Sequence, residues 1–544
     1  MKSSLDESHD YHNIRGSAGV APASQLPYMG KLIASVKQNA KKALKLEVRD
    51  AGAGDYVSHI HTLVKSSGIY ALASLALPLV ALVLAPFLTH TLSRTDYGVL
   101  AILSTVITLM AGITQFGLNN AFFRAYGFDY ESSKDRAAVL STVVVLLLLS
   151  SIPITIVVVI TAPWLATLLF NNPSDSGPIR LAVMVVLLQN LAIPGLSWLR
   201  AESRAGLYST LAIANLLVNL GATVVLVGAL RMGITGALMA MVGGYAVVVG
   251  CTLPVVLLRA GLRLRLDIAW NLLSFGLPLV SNLVSIWVLQ LSDRYLLSRL
   301  GSLSQTASYT VAYSLGGILG VVVLSPFSLA WPTTMFAIAK REDAVHVFRL
   351  TFRWYSIFLL FATLGLLLIS VSVLYMLFPP SYYSAMPVIP IVAVSIMFFG
   401  IYSFFTVGIS IRRKTWFAVL LTTVAALANV GLNIVLIPPY GSIGAAVSTL
   451  IAYTLLASIA YIVNQRLYPI PFEIGMFAVA LLIGIVLCIG IGFLLHDSQM
   501  PRAYVIALYL CALGLYGGFL VFLGRHPIQN REYTHPGAQE DPAP

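Results

Sequence analysis

Charge is what this 544-residue sequence has least of: 10% of its residues are Asp, Glu, Lys or Arg, while 58% are hydrophobic. A soluble domain carries roughly 25% charged residues, so a water-soluble enzyme or scaffold of this length is excluded. Cysteine is nearly absent too. Cys251, Cys488 and Cys511 lie within apolar segments, where they read as small buried hydrophobes rather than disulfide partners or metal ligands. The nine histidines show no ligand spacing, His59 and His61 preceding the first apolar run. No metal, cofactor or catalytic nucleophile is expected. A cleavable signal is also lacking, because the first apolar stretch begins at Gly68 behind a polar leader and is long enough to remain as a signal-anchor helix.

What the chain has in abundance is long apolar runs. Helical stretches of about 20 residues cross the roughly 30 Å hydrocarbon core, and such runs cover 68–90, 98–122, 139–162, 181–199, 207–230, 234–258, 272–297, 308–332, 354–377, 386–411, 416–437, 442–464, 472–495 and 502–523. The fold class is therefore an all-α polytopic integral membrane protein with about fourteen transmembrane helices. Sixteen Lys and Arg fall into one alternating set of gaps and six into the other. Arg94, Arg180, Arg231, Arg294, Arg299 and Arg502 make up the sparse set. The positive-inside rule then places both termini in the cytoplasm. The net charge of +12 is spread over loop after loop, instead of gathering with aromatics on one domain, which argues against nucleic acid.

Residues 1–66 form a basic leader. Between 30 and 48, Leu32, Ile33, Val36, Ala40, Ala43 and Leu44 recur at helical spacing among lysines, the pattern of an amphipathic helix on an anionic inner leaflet. A solvated leader without a specific role is the alternative. The tail 525–544, rich in Pro and charged residues, reads as disordered.

The chain repeats itself. Leu77-Pro78-Leu79-Val80 returns as Leu277-Pro278-Leu279-Val280. Leu92-Ser93-Arg94 with Tyr97 returns as Leu297-Ser298-Arg299 with Tyr309. Ala214-Asn215 with Asn219, then Gly233-Ile234-Thr235-Gly236-Ala237, returns as Ala428-Asn429 with Asn433, then Gly441-Ser442-Ile443-Gly444-Ala445. Six spans per copy make the repeats parallel, related by an axis along the membrane normal. The boundaries that follow are 67–265 and 266–468 for two six-helix bundles and 469–524 for two additional helices.

With those repeats in view, Leu92-Ser93-Arg94-Thr95-Asp96-Tyr97-Gly98, Phe116-Gly117-Leu118 with Arg124, Phe275-Gly276-Leu277-Pro278, Ser292-Asp293-Arg294-Tyr295 and Gly441-Ser442-Ile443-Gly444-Ala445 carry a resemblance. They resemble the polysaccharide transporter and oligosaccharide flippase branch of the multidrug/oligosaccharidyl-lipid/polysaccharide exporter superfamily. The resemblance implies two pseudo-two-fold-related six-helix bundles that flip a polyprenyl-diphosphate-linked oligosaccharide across a bacterial inner membrane. It implies membrane lipids and other polysaccharide-assembly proteins as partners, and a central cavity lined by helices 1, 2, 7 and 8.

Polar groups at membrane depth are costly and face an interior or a wet cavity. In the second span Gln115 and Asn119 share one face, while Asn120 and Arg124 share another. Arg124 is the diphosphate candidate, because a guanidinium grips phosphate oxygens bidentately; a snorkelling anchor is its alternative. In the seventh span Asn282, Ser285, Gln290 and Asp293 fall within one arc and are expected to face the cleft. Asp293 and Arg294 have an exposed outer-end pair as their alternative. Asn215, Asn219, Asn429 and Asn433 read as hydrogen-bond glue between helices, and Pro78, Pro86, Pro278 and Pro326 as bends or static kinks.

Transport of lipid-linked sugar is thus the leading reading. An ion-coupled drug exporter of the same fold would bury carboxylates, and no Asp or Glu sits in the middle of the first twelve spans. A polysaccharide polymerase or ligase would need a sizeable outer loop, whereas the longest, near 162–180, carries one carboxylate, Asp175.

Overall fold

Thirteen of the fourteen apolar runs fold as helix over most of their length. The computed structural model describes residues 83–130, 132–170, 176–412, 414, 416–496 and 502–525, with no strand among them. The leader, its expected helix 30–48, most of the first span including Pro78, and the tail beyond Arg525 lie outside the described residues. All described residues belong to one unit of the chain, Ser66–Pro544.

In chain order the helices are α1 (83–91), α2 (Arg94–Thr114), α3 (Leu118–Arg124), α4 (Ser133–Phe170), α5 (Ser176–Ala201), α6 (Ala205–Thr223), α7 (Gly233–Ala260) and α8 (Leu266–Leu300). Then follow α9 (Leu303–Gly316), α10 (Ser325–Ala339), α11 (Ala344–Leu377), α12 (Val388–Phe405), α13 (Val407–Ile411), α14 (Trp416–Leu467), α15 (Ile474–His496) and α16 (Arg502–Arg525).

Twelve helical runs among the described residues are long and apolar enough to cross a membrane, against the fourteen expected. One difference is α14, whose 52 residues merge the expected spans 416–437 and 442–464. As a straight rod it would extend ~78 Å, more than twice the hydrocarbon thickness. It folds back instead: Gly441, behind Pro438 and Pro439, has φ 55° and ψ −128°. Asn429 Nδ2 consequently donates to Thr449 Oγ1, 20 residues away, at 3.4 Å. Gly444 permits the close return, since a Cβ there would lie 2.1 Å from the Leu436 carbonyl oxygen. The matching Gly236 has Leu226 in the same relation at 3.1 Å. The other difference is the first span, of which only residues 83–90 are described.

The second span is not one helix. It breaks at Phe116 and Gly117, both at positive φ (48° and 67°), separating α2 from α3. The eighth span likewise divides into α9, a π-helical turn at Gly320–Leu324 and α10, which opens with Pro326 near its first turn. Pro278, by contrast, lies inside an unbroken α8.

One repeat marker shifts. Ser93 Oγ caps α2 by accepting from Asp96 N at 3.1 Å, but Ser298 turns its hydroxyl back to the Tyr295 carbonyl within α8. The equivalent cap is Ser302, which accepts from Gln305 N at 3.1 Å. Side-chain capping of free helix N–H groups, rather than the Leu-Ser-Arg string, fixes the register.

The last two helices dock on α11. Arg353 reaches the Gly524 carbonyl of α16 at 3.1 Å and pairs with Glu473, just before α15. Arg349 adds a second ion pair to Glu473 at 3.0 Å.

Candidate functional site

Below, the first half denotes residues before 266 and the second half those from 266 onward. Between α2 of the first half and α8 and α9 of the second lies a cavity of about 370 Å³. Thr105, Thr108, Asn219, Thr223, Thr310 and Ser314 supply its polar wall, and Arg294 its charge. A second cavity of about 480 Å³ adjoins it, sharing Leu291 and Ser314. Gln290, Tyr313, Ser325, Ser328, Ser403 and Tyr453 line this one. Among the described residues, Arg294 is the only charged one lining either cavity, and no carboxylate lines them. Its guanidinium lies 4.7 Å from the centre of the Tyr313 ring, a cation–π contact, and forms no ion pair among the described residues.

Contacts join the halves at both ends. At the Ser93 end, Arg94 donates to Ser308 Oγ at 2.7 Å and lies near the Ser304 carbonyl (3.4 Å) and Ser384 Oγ (3.5 Å). Its guanidinium sits 5.7 Å from the Tyr382 ring centre, and Tyr97 packs edge-on to Tyr382 at 6.0 Å. Gly98 lets this approach occur, because a Cβ there would stand 2.2 Å from the Leu303 carbonyl oxygen. At the Arg124 end, Cβ atoms on Gly117 and Gly276 would each strike the opposite backbone at 2.3 and 2.2 Å. Arg124 lies over Phe275 at 4.8 Å and 3.7 Å from Asp129, whose carboxylate accepts from Asn271 at 3.4 Å. Midway, Trp287 Nε1 of α8 donates to the Thr105 carbonyl at 3.0 Å.

The polar residues singled out in the sequence separate into three groups. Gln290 and Arg294 line the cavities, whereas Arg124, 54% exposed, lies outside both linings. Gln115 and Asn119 instead turn into the first half: Gln115 donates to Asn190 at 3.1 Å, and Asn119 accepts from Ser197 at 2.8 Å. The shared arc in α8 does not face the cleft as a set. Asn282 accepts from Thr422 (3.4 Å), and Ser285 bonds Thr423 (2.9 Å), both on α14. Hydroxyls on the neighbouring helix satisfy that face. Asp293 is 1% exposed and accepts from the Tyr309 hydroxyl and its neighbour's backbone N–H. The exposed Asp293–Arg294 pair is thus corrected: about 100° apart on α8, Asp293 turns into the protein toward Tyr309 while Arg294 lines the cavity. Asn215, Asn429 and Asn433 are buried between helices, whereas Asn219 reaches the cavity wall.

Arg94 is the residue that sequence reasoning missed. It entered as a charge in a gap and as part of a repeated Leu-Ser-Arg marker, with no role of its own, although the Ser93 cap before it and Gly98 after it marked a tight helix start.

No curated protein matches the chain. Among solved structures it is similar to the lipid II flippase MurJ in an inward closed conformation, with a TM-score of 0.65 and 15% identity over 83% of this chain and 99% of the flippase. An inward-facing multidrug resistance MATE family transporter of the MOP superfamily gives a TM-score of 0.56 at 15% identity, covering 73% of this chain and 93% of its own. A MOP superfamily transporter from Pyrococcus furiosus gives 0.52 at 15%, covering 74% and 92%. At that identity the likeness speaks to the fold. Residues 63–338, half of the chain, match the family described as "Polysaccharide biosynthesis protein", and the chain belongs to that family, on the helical architecture of the MOP superfamily.

Proposed function

We propose that this protein is a transporter, not an enzyme, that flips a polyprenyl-diphosphate-linked oligosaccharide across the bacterial inner membrane. One observation carries the reading: among the described residues, the cavities between the two halves are lined by hydroxyl and amide side chains and one cation, Arg294, with the nearest carboxylate, Asp293, buried behind the wall and bonded to Tyr309. Sugar hydroxyls find donors and acceptors on Ser, Thr, Asn and Gln, and a diphosphate finds a guanidinium that can hold two of its oxygens. Arg124, at one end of the interface between the halves, meets the diphosphate first, and Arg294 receives it deeper. Contacts at both ends support an alternating cycle in which the Arg124 end opens while the Arg94 set holds, and then the reverse. The 67–265 and 266–468 bundles are the moving bodies of that cycle, with both termini in the cytoplasm.

Lipid-linked sugar accumulating on the inner leaflet tests the reading. With membrane levels matched to wild type, Arg294→Ala should cause accumulation, and wild-type export by that variant would overturn the assignment. A cation-coupled drug exporter gains support from the MATE-like fold, but its cavity would call for a carboxylate.

A further inference from the structure

A second basic cavity, separate from the one between the halves, lies at the Arg124 end of the first half. It measures about 340 Å³ and is lined by Tyr126, Ser133, Arg136, Trp198, Glu202 and Arg259, among others. Its position follows from the fold: Ser133 and Arg136 open α4, Trp198 lies in the last turn of α5 and Arg259 in that of α7. Three helix ends therefore meet around it, beside the turn after α3 that carries Tyr126.

The arginines here are held by aromatic faces instead of carboxylates. Arg204 and Arg259 sit 5.2 and 4.8 Å from the Trp198 ring centre, and Arg136 sits 5.5 Å from that of Tyr126. None of the three forms an ion pair among the described residues. The one carboxylate in the lining, Glu202, is engaged by the Tyr126 hydroxyl at 2.6 Å. Burial and the nearby Glu202 push the Tyr126 hydroxyl up to about 12, so it keeps its proton and goes on donating. Trp198 is 5% exposed and Tyr126 8%, so the aromatic walls are held by packing, and Arg136 is steadied further by donating Nε–H to the Tyr130 carbonyl at 3.2 Å.

We infer that this cavity binds a phosphate group at the membrane surface, with Arg136 and Arg259 as its ligands and Arg204 steadying Trp198 beside them. A glycerophospholipid headgroup and a free polyphosphate offer the same chemistry. The full-length protein, purified in a neutral detergent, separates them by thermal unfolding during titration with short-chain phosphatidylglycerol, short-chain phosphatidylcholine or inorganic pyrophosphate. Wild type should be stabilised saturably by phosphatidylglycerol. A parallel response to pyrophosphate assigns the site to phosphate as such, and a response to phosphatidylglycerol alone assigns it to lipid. Arg136→Gln with Arg259→Gln should weaken the response at least about tenfold, the loss of two charge-assisted contacts. Lys340→Gln with Lys414→Gln removes the same charge from the second half, away from this cavity, and should respond as wild type. No response to either anion, an equal response to phosphatidylcholine, or equal weakening by both double variants would overturn the inference.

Discussion

Arg94 of the first half places its guanidinium 2.7 Å from the Ser308 hydroxyl of the second, beneath the ring of Tyr382. That bond ties the two halves at one end, where Gly98 brings α2 against the start of α9.

Removing the tie should open that end. A hydrogen bond to a charged group contributes about 1.5–3 kcal/mol, enough to shift a two-state equilibrium roughly tenfold or more. In a chain with Cys251, Cys488 and Cys511 replaced by Ala, a cysteine at Thr310 reports on the cavity. Arg94→Ala should speed its reaction with a membrane-impermeant thiol reagent by that order from the Ser93 side. Unchanged labelling would remove Arg94 from the gate.

Gly276→Ala should do the reverse. Its Cβ would lie 2.2 Å from the Phe116 carbonyl oxygen, a backbone atom that cannot rotate away, so α3 and α8 must part. Overpacking of this kind costs about 1–3 kcal/mol, and here the strain is relieved by opening the Arg124 end. A cysteine at Asn271 should then label faster from that side, while Thr310→Cys stays protected from the other.

These two ends show how far the sequence could be read. Apolar length and alternating charge gave the spans, and the Gly441–Gly444 marker lay at the α14 hairpin. The register of polar faces in α8 was also readable, but not which neighbour it met. Thr422 and Thr423 lie about 140 residues from Asn282 and Ser285, and nothing local in α8 distinguishes a face satisfied by hydroxyls from one facing a cavity. Arg94 shows the same limit, its partners Ser304, Ser308 and Ser384 lying 210 to 290 residues away.

The C-terminal helices should depend on Glu473. Arg353 and Glu473 are 6% and 12% exposed in their side chains, and removing one member of a buried pair costs about 3–5 kcal/mol because the other charge stays buried. Glu473→Gln should therefore lower thermal stability and expose sites in α15 and α16 to protease, whereas the exposed Asp343→Asn, which loses only its contact with Arg341, should change neither measurably.

Arg124 and Arg294 should fail at different steps, because one stands at an end of the interface between the halves and the other lines the cavity. Arg124 is 54% exposed and held by Phe275 and Asp129, so its guanidinium can meet a diphosphate before either end moves. Arg124→Ala should raise the lipid-linked substrate concentration needed for half-maximal flux and leave the maximal rate near wild type. Arg124→Lys should recover part of the loss, since lysine keeps the charge without the two-pronged geometry. Arg294 lies over Tyr313 and lines the cavity, so Arg294→Ala should lower the maximal rate even at saturating substrate. Flux measured in proteoliposomes over a range of substrate densities separates these outcomes. A common loss in half-saturation alone for both variants would mean that Arg294 binds substrate without carrying it, and full wild-type flux in Arg124→Ala would reduce that residue to a membrane anchor.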